Sequence, residues 1–153
     1  FLLREEKYGE AEQAFKKVLS LDSSRYIIWE NILNVFYLQF KYDDLLEYSE
    51  KAIALFPVQP ALYLYKGIAL IHKKEYEQSI SILKKGLDYI VFTNSMEAQF
   101  YSFIGDAYYN LKEYEKSDEA YDIVLTLDPE NSYVLNNYAY YLSLREVKLE
   151  KAW

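Results

Sequence analysis

The chain has 153 residues, 52% hydrophobic and 27% charged, with no cysteine, one histidine, four glycines, three prolines and a net charge of −7. That balance fits one folded soluble domain and argues against disorder, while so few glycines and prolines argue against a many-stranded β fold. Absent cysteine excludes disulfides and thiolate chemistry, a lone His72 leaves no pair for a metal site or relay, and the acidic charge disfavours nucleic acid and anionic membrane surfaces. No apolar run is long enough to span a bilayer. The first residue is Phe1, not Met, so the chain is read as a piece of a longer one, and its compartment, cytoplasmic or periplasmic, stays open.

Taken in order, the predicted elements repeat. YGEAEQAF begins at Tyr8, YDDLLEYS at Tyr42, YEQSISIL at Tyr76 and YEKSDEAY at Tyr114, in steps of 34, 34 and 38 residues. A second ladder, Trp29, Tyr63, Tyr101 and Leu135, steps by 34, 38 and 34, with the same four-residue excess. The excess falls between Leu87 and Ala98, where VFTNSM supplies loop residues. Self-similarity at such a period marks stacked supersecondary units.

Each unit reads as two helices. Trp29, Ile32, Leu33 and Phe36 share one helical face. A break at Gln39 to Lys41 follows, and Tyr42, Leu45, Leu46, Ala52 and Leu55 outline a second face. Asp43 and Asp44 open that helix, where the dipole favours anions, and Pro57 and Pro60 stop and restart the pattern. Tyr63, Gly67 and Leu70, then Tyr76, Ile80, Leu83 and Leu87, form the next pair. Tyr101, Ile104, Gly105 and Tyr108, then Tyr114, Tyr121 and Val124, form another, ending at Leu127-Asp128-Pro129. Gly9 is expected in a turn between helices, and Leu149 to Trp153 to open a final second helix. The organisation is one array: a partial repeat at 1–24, repeats at 25–58, 59–96 and 97–131, and a partial repeat at 132–153.

This pattern resembles the tetratricopeptide repeat. Its first half appears as Trp29-x2-Ile32-Leu33-x2-Phe36, Tyr63-x2-Lys66-Gly67-x2-Leu70 and Tyr101-x2-Ile104-Gly105-x2-Tyr108. Its second half appears as Ala11-x3-Phe15, Leu45-x3-Ser49, Ser79-x3-Leu83 and Ser117-x3-Tyr121. Pro57 and Pro129 fill the terminal proline position, whereas Ser23 and Val91 do not. The closing NNYAYYLS run is similar to bacterial members. The resemblance implies an all-α, right-handed solenoid of antiparallel helix pairs. Small Gly67, Gly105 and Ala139 are expected where paired helices approach closely, with Ser79 and Ser117 opposite them. Cut ends are expected to expose apolar surface and invite end-to-end contact.

Catalytic signals are missing. Asp43-Asp44 and Glu113-Glu115 read as helix-start acids, His72 as a helix-end surface residue, and no phosphate-cradling or nucleophile motif occurs. The expectation is a non-catalytic scaffold with no cofactor or metal. The resemblance implies that first helices line a concave groove. Its lining is then Ile27, Glu30, Asn34 and Tyr37; Ala61, Leu64, Ile68 and Ile71; Gln99, Ser102, Asp106 and Tyr109; and Tyr133, Asn136, Tyr140 and Ser143. An apolar strip at Leu64, Ile68 and Ile71, flanked by amides, acids and tyrosines, suits a peptide or helix of an apolar or basic partner. The alternative is that these residues pack against neighbouring helices. Family members that grip a chaperone's C-terminal carboxylate use lysine-x3-asparagine, which here is Glu30-x3-Asn34, so that clamp is not expected. A structural, self-associating segment and a regulatory part of a larger enzyme stand as alternative roles.

Overall fold

The computed structural model describes residues 2–91 and 94–145. They form helices α1 (Leu2–Leu21), α2 (Tyr26–Leu38), α3 (Tyr42–Leu55), α4 (Pro60–His72), α5 (Tyr76–Leu87), α6 (Asn94–Asn110), α7 (Tyr114–Leu127) and α8 (Ser132–Arg145), and no strand occurs among the described residues. Two compact units divide at Tyr89 and Ile90. The first holds α1 to α5 and the second α6 to α8.

Local chemistry sets the helix ends. Pro60 opens α4, where its missing N–H costs nothing and its fixed φ suits the first turn. Asn131 caps α8, its side-chain oxygen accepting from the Val134 N–H at 3.0 Å. The turns joining α2 to α3, α4 to α5 and α6 to α7 are three copies of one device. In the first, the Lys41 N–H reaches the Phe36 carbonyl at 2.9 Å and the Phe40 N–H the Tyr37 carbonyl at 3.1 Å. Glu75 to Leu70 with Lys74 to Ile71, and Glu113 to Tyr108 with Lys112 to Tyr109, repeat that pair of bonds. This closure needs a left-handed residue, a place glycine fills most cheaply. Here it is Phe40, Lys74 and Lys112, at φ of 58°, 64° and 63°.

In the first unit the core contains Trp29, Ile32, Leu33, Phe36, Leu45, Ala52, Leu62, Tyr63, Leu70 and Leu83. Burying each large side chain contributes about 1.5–3 kcal/mol. The predicted faces of α2 and α4 are thus interior. The Trp29 indole N–H donates to the Ser23 carbonyl at 2.9 Å, and the Tyr63 hydroxyl to the Pro57 carbonyl at 2.5 Å. Both bonds run back six residues to the terminal-proline position and fasten α2 and α4 to the turn before each. In the second unit Ala98, Tyr121, Val124, Val134, Tyr138 and Leu142 form the core, with Tyr101, Leu125, Leu127 and Tyr141 packed against it.

The close approaches expected at glycine are present. A Cβ at Gly67 would sit 2.4 Å from Leu83 Cδ2, and one at Gly105 would sit 2.5 Å from Tyr121 Cε1. The serines opposite do more than save space. Ser79 Oγ donates to the Gly67 carbonyl and Ser117 Oγ to the Gly105 carbonyl, both at 2.8 Å. At the step where those repeats pair Gly67 with Leu83 and Gly105 with Tyr121, the 25–58 repeat has Leu33 and Ser49, both fully buried. Large and small have exchanged helices there, which preserves the filled volume.

Three expectations are corrected. Gly9 lies inside α1, not in a turn, because the chain stays helical from Leu2 to Leu21. Ile68 is only 4% exposed, so it belongs to the core of α4 and not to an open strip. Ser102 and Asp106 are buried as well. Ala139 and Leu135 lie on α8, and the second helix expected from Leu149, against which Ala139 would pack, lies outside the described residues.

Candidate functional site

In the first unit, α2 and α4 present the predicted lining. Asn34 is exposed, Glu30, Tyr37, Leu64 and Ile71 are half-buried, and Ile68 is beneath them. Tyr65 of α4, which the sequence reading passed over, reaches α2. Its hydroxyl donates to Asn34 Oδ1 at 3.4 Å, and its ring meets Tyr37 edge-on with centroids 6.4 Å apart. Tyr26, at the start of α2, turns its hydroxyl to Glu30, while its ring packs edge-on against Phe56 at 5.5 Å. Burial, reinforced by the Glu30 charge, pushes the Tyr65 hydroxyl up to about 12 and the Tyr26 hydroxyl higher still. Both phenols are therefore neutral at any ordinary pH. Among the described residues no lysine, arginine or histidine forms an ion pair with Glu30.

At the end of α4, His72 stacks flat on Tyr42, with ring centroids 3.8 Å apart and planes within 7°. Burial lowers its pKa and so favours the neutral ring. The cation at this end is Lys73, paired with Asp43 of α3.

In the second unit the corresponding residues are engaged. Ser102 Oγ donates to its own helix at the Ala98 carbonyl, 2.9 Å away. Asp106, 8% exposed, accepts the hydroxyls of Tyr121 from α7 and, at 2.7 Å, Tyr133 from α8. Desolvation raises the Asp106 pKa and the two hydroxyls oppose that rise. Tyr109 stacks on Tyr141 with centroids 3.6 Å apart. Of the predicted lining of this unit, Gln99 on α6 and Tyr133, Asn136, Tyr140 and Ser143 on α8 are exposed. Asp118 and Arg145, a pair the sequence reading missed, join α7 to α8 at 2.6 Å with both side chains largely covered. A cleft of about 280 Å³ lies instead among Ser95, Ala98, Gln99, Leu127, Asp128 and Asn131.

No group of three histidine, cysteine or acidic residues that could hold a metal occurs among the described residues. None of their helices is long and apolar enough to cross a membrane.

Helix pairs sealed by the same glycine, serine and carbonyl devices at repeat spacing define an α-helical repeat fold of the solenoid type. Residues 98–131 and 1–25 each match a family model described as the tetratricopeptide repeat, so the chain carries that repeat at both places. No curated protein sequence matches it. Among solved structures it is similar to MamA from Desulfovibrio magneticus RS-1, with a TM-score of 0.81 at 20% identity over 98% of this chain and 82% of that one. It is similar to the first such domain of Spaghetti (RPAP3) bound to an HSP90 peptide, SRMEEVD, with a TM-score of 0.70 at 22% identity over 82% of this chain and 96% of that one. It is also similar to YrrB, a repeat protein with an unusual peptide-binding site, with a TM-score of 0.71 at 16% identity over 92% of this chain and 70% of that one. Identities this low establish the shared fold.

Proposed function

We propose that the chain is a protein-interaction scaffold whose first unit takes a partner peptide or helix on the face made by α2 and α4. Glu30, Asn34, Tyr37, Leu64 and Ile71 are its contacts, with Tyr26 and Tyr65 beside them. One observation carries this reading: the repeat position that Tyr121 and Tyr133 close over Asp106 holds an exposed Asn34 in the first unit. Ala61 stands where the next first helix of the second unit has Tyr133, so no side chain from that position fills the face. Half-buried apolar groups rimmed by tyrosines and polar groups suit a peptide, because tyrosine gives large contact area at low entropy cost. The HSP90 peptide on Spaghetti and the peptide site of YrrB support the same general role. Asn136 and Tyr140 offer α8 as a separate polar surface, while Ser102 and Asp106 serve packing.

The test is obstruction. Asn34→Trp fills the face from an exposed position, leaving the core intact. Affinity for a peptide selected against the wild-type chain should fall about tenfold or more, equivalent to ~1.4 kcal/mol, with melting unchanged. Undiminished affinity would exclude this face.

A further inference from the structure

We propose that Glu30 marks a subsite for a cationic side chain, lysine or arginine, of the partner. The proposal deepens the reading of the α2–α4 face as a peptide site and rests on it. Glu30 is half-buried on α2, flanked by Tyr26 on its own helix and Tyr65 from α4, with Asn34 one turn on and Tyr37 meeting the Tyr65 ring. No cation among the described residues forms an ion pair with it, whereas the buried acid of the first unit, Glu12, is paired. Glu12 holds both Lys16 at 2.8 Å and Lys41 at 2.7 Å.

A carboxylate ringed by phenols has one complementary ligand. An ammonium or guanidinium group can donate charged hydrogen bonds to Glu30 while its carbon stem and charge lie over tyrosine faces. An anionic side chain or a free C-terminal carboxylate would meet Glu30 with no compensating cation, since Asn34, Tyr37, Leu64, Ile68 and Ile71 carry none. A metal ion would find no group of three acidic, cysteine or histidine ligands among the described residues. The net charge of −7 draws basic segments toward the chain at low salt, and Leu64 and Ile71 favour apolar residues beside the cation.

The experiment is selection from a randomised display library of peptides about a dozen residues long, run in parallel on the wild-type chain, Glu30→Gln and Glu30→Lys. The expected result is wild-type peptides with a lysine or arginine at fixed spacing from apolar residues. Replacing that cation by norleucine should weaken binding about tenfold, Glu30→Gln should weaken it similarly, and Glu30→Lys should select acidic residues at the same place. Circular dichroism melts within error of wild type keep the comparison to the site. If selected peptides compete at Asn34 yet carry no cation, or bind Glu30→Gln unchanged, the subsite is overturned while the face stands. If no selected peptide is sensitive to Asn34→Trp, both readings fall.

Discussion

Asn34 and Asp106 occupy the same step of the repeat, five residues after Trp29 and Tyr101, yet one is exposed and the other buried. Position in the repeat does not decide the difference. The tyrosines around it differ: where the second unit has Tyr133 and Tyr121, the first has Ala61 and Ser49. Tyr133 reaches Asp106 at 2.7 Å, Tyr121 meets the other carboxylate oxygen, and the face closes into a hydrogen-bonded plug. In the first unit Tyr65 bonds Asn34 from the side and leaves the face open. One fold thus leaves this step exposed in one unit and buries it in the other.

Substitutions can break or sharpen that contrast. The largest loss is expected from Ile68→Glu, which places an unpaired charge at a buried position and should cost about 3–5 kcal/mol by denaturant unfolding. A small loss would return Ile68 to the exposed strip. Next comes Asp106→Ala. Tyr121 is fully buried and would lose its acceptor, a cost of about 1–3 kcal/mol, whereas the half-exposed Tyr133 can turn to water.

Asp106→Asn separates the charge from the hydrogen bonds. Burial raises the folded-state pKa of Asp106, so the unfolded chain gives up this proton first as pH rises. The group's contribution is fullest below the ordinary carboxylate pKa and is lost as pH climbs from there through the raised folded value. Asp106→Asn has no such loss. Melting temperatures from acid to neutral pH should show the variant gaining on wild type as pH rises.

A smaller cost, about 1–2 kcal/mol, is expected of Gly105→Ala. The new Cβ meets the ring of Tyr121, which is held at its hydroxyl by Asp106. Gly67→Ala should cost less, since it meets the terminal atoms of Leu83, which can shift, and gains helix propensity. Equal costs would mean the plug adds no rigidity. The smallest effect is a gain. Lys112→Gly relieves a left-handed residue at φ 63° and should raise stability by up to about 1 kcal/mol in thermal melts.

The architecture was legible because packing positions recur. Trp29, Tyr63 and Tyr101 announce a first helix, and Gly67 and Gly105 announce close crossings whatever the rest of the repeat contains. The turns were legible only as breaks, because Phe40, Lys74 and Lys112 stand where glycine would have signalled the left-handed residue. The face was half legible. Glu30, Asn34, Tyr37, Leu64 and Ile71 are where the register puts them, but Ile68, Ser102 and Asp106 share that register and are buried. For Asp106, burial depends on how far Tyr133 and Tyr121 reach across helices, a distance that no periodicity along one helix encodes. The Glu30 cage escaped notice for the same reason: Tyr65 comes from a different helix.

The contrast between the units is tested most directly by titrating the ¹⁵N-labelled chain with a cationic peptide selected against it and following the amide resonances. The account predicts shifts concentrated at Glu30, Asn34, Tyr37, Leu64, Tyr65 and Ile71, with Ser102, Asp106 and Tyr109 still. Shifts centred on α6 and α8, with α2 and α4 unmoved, would contradict it.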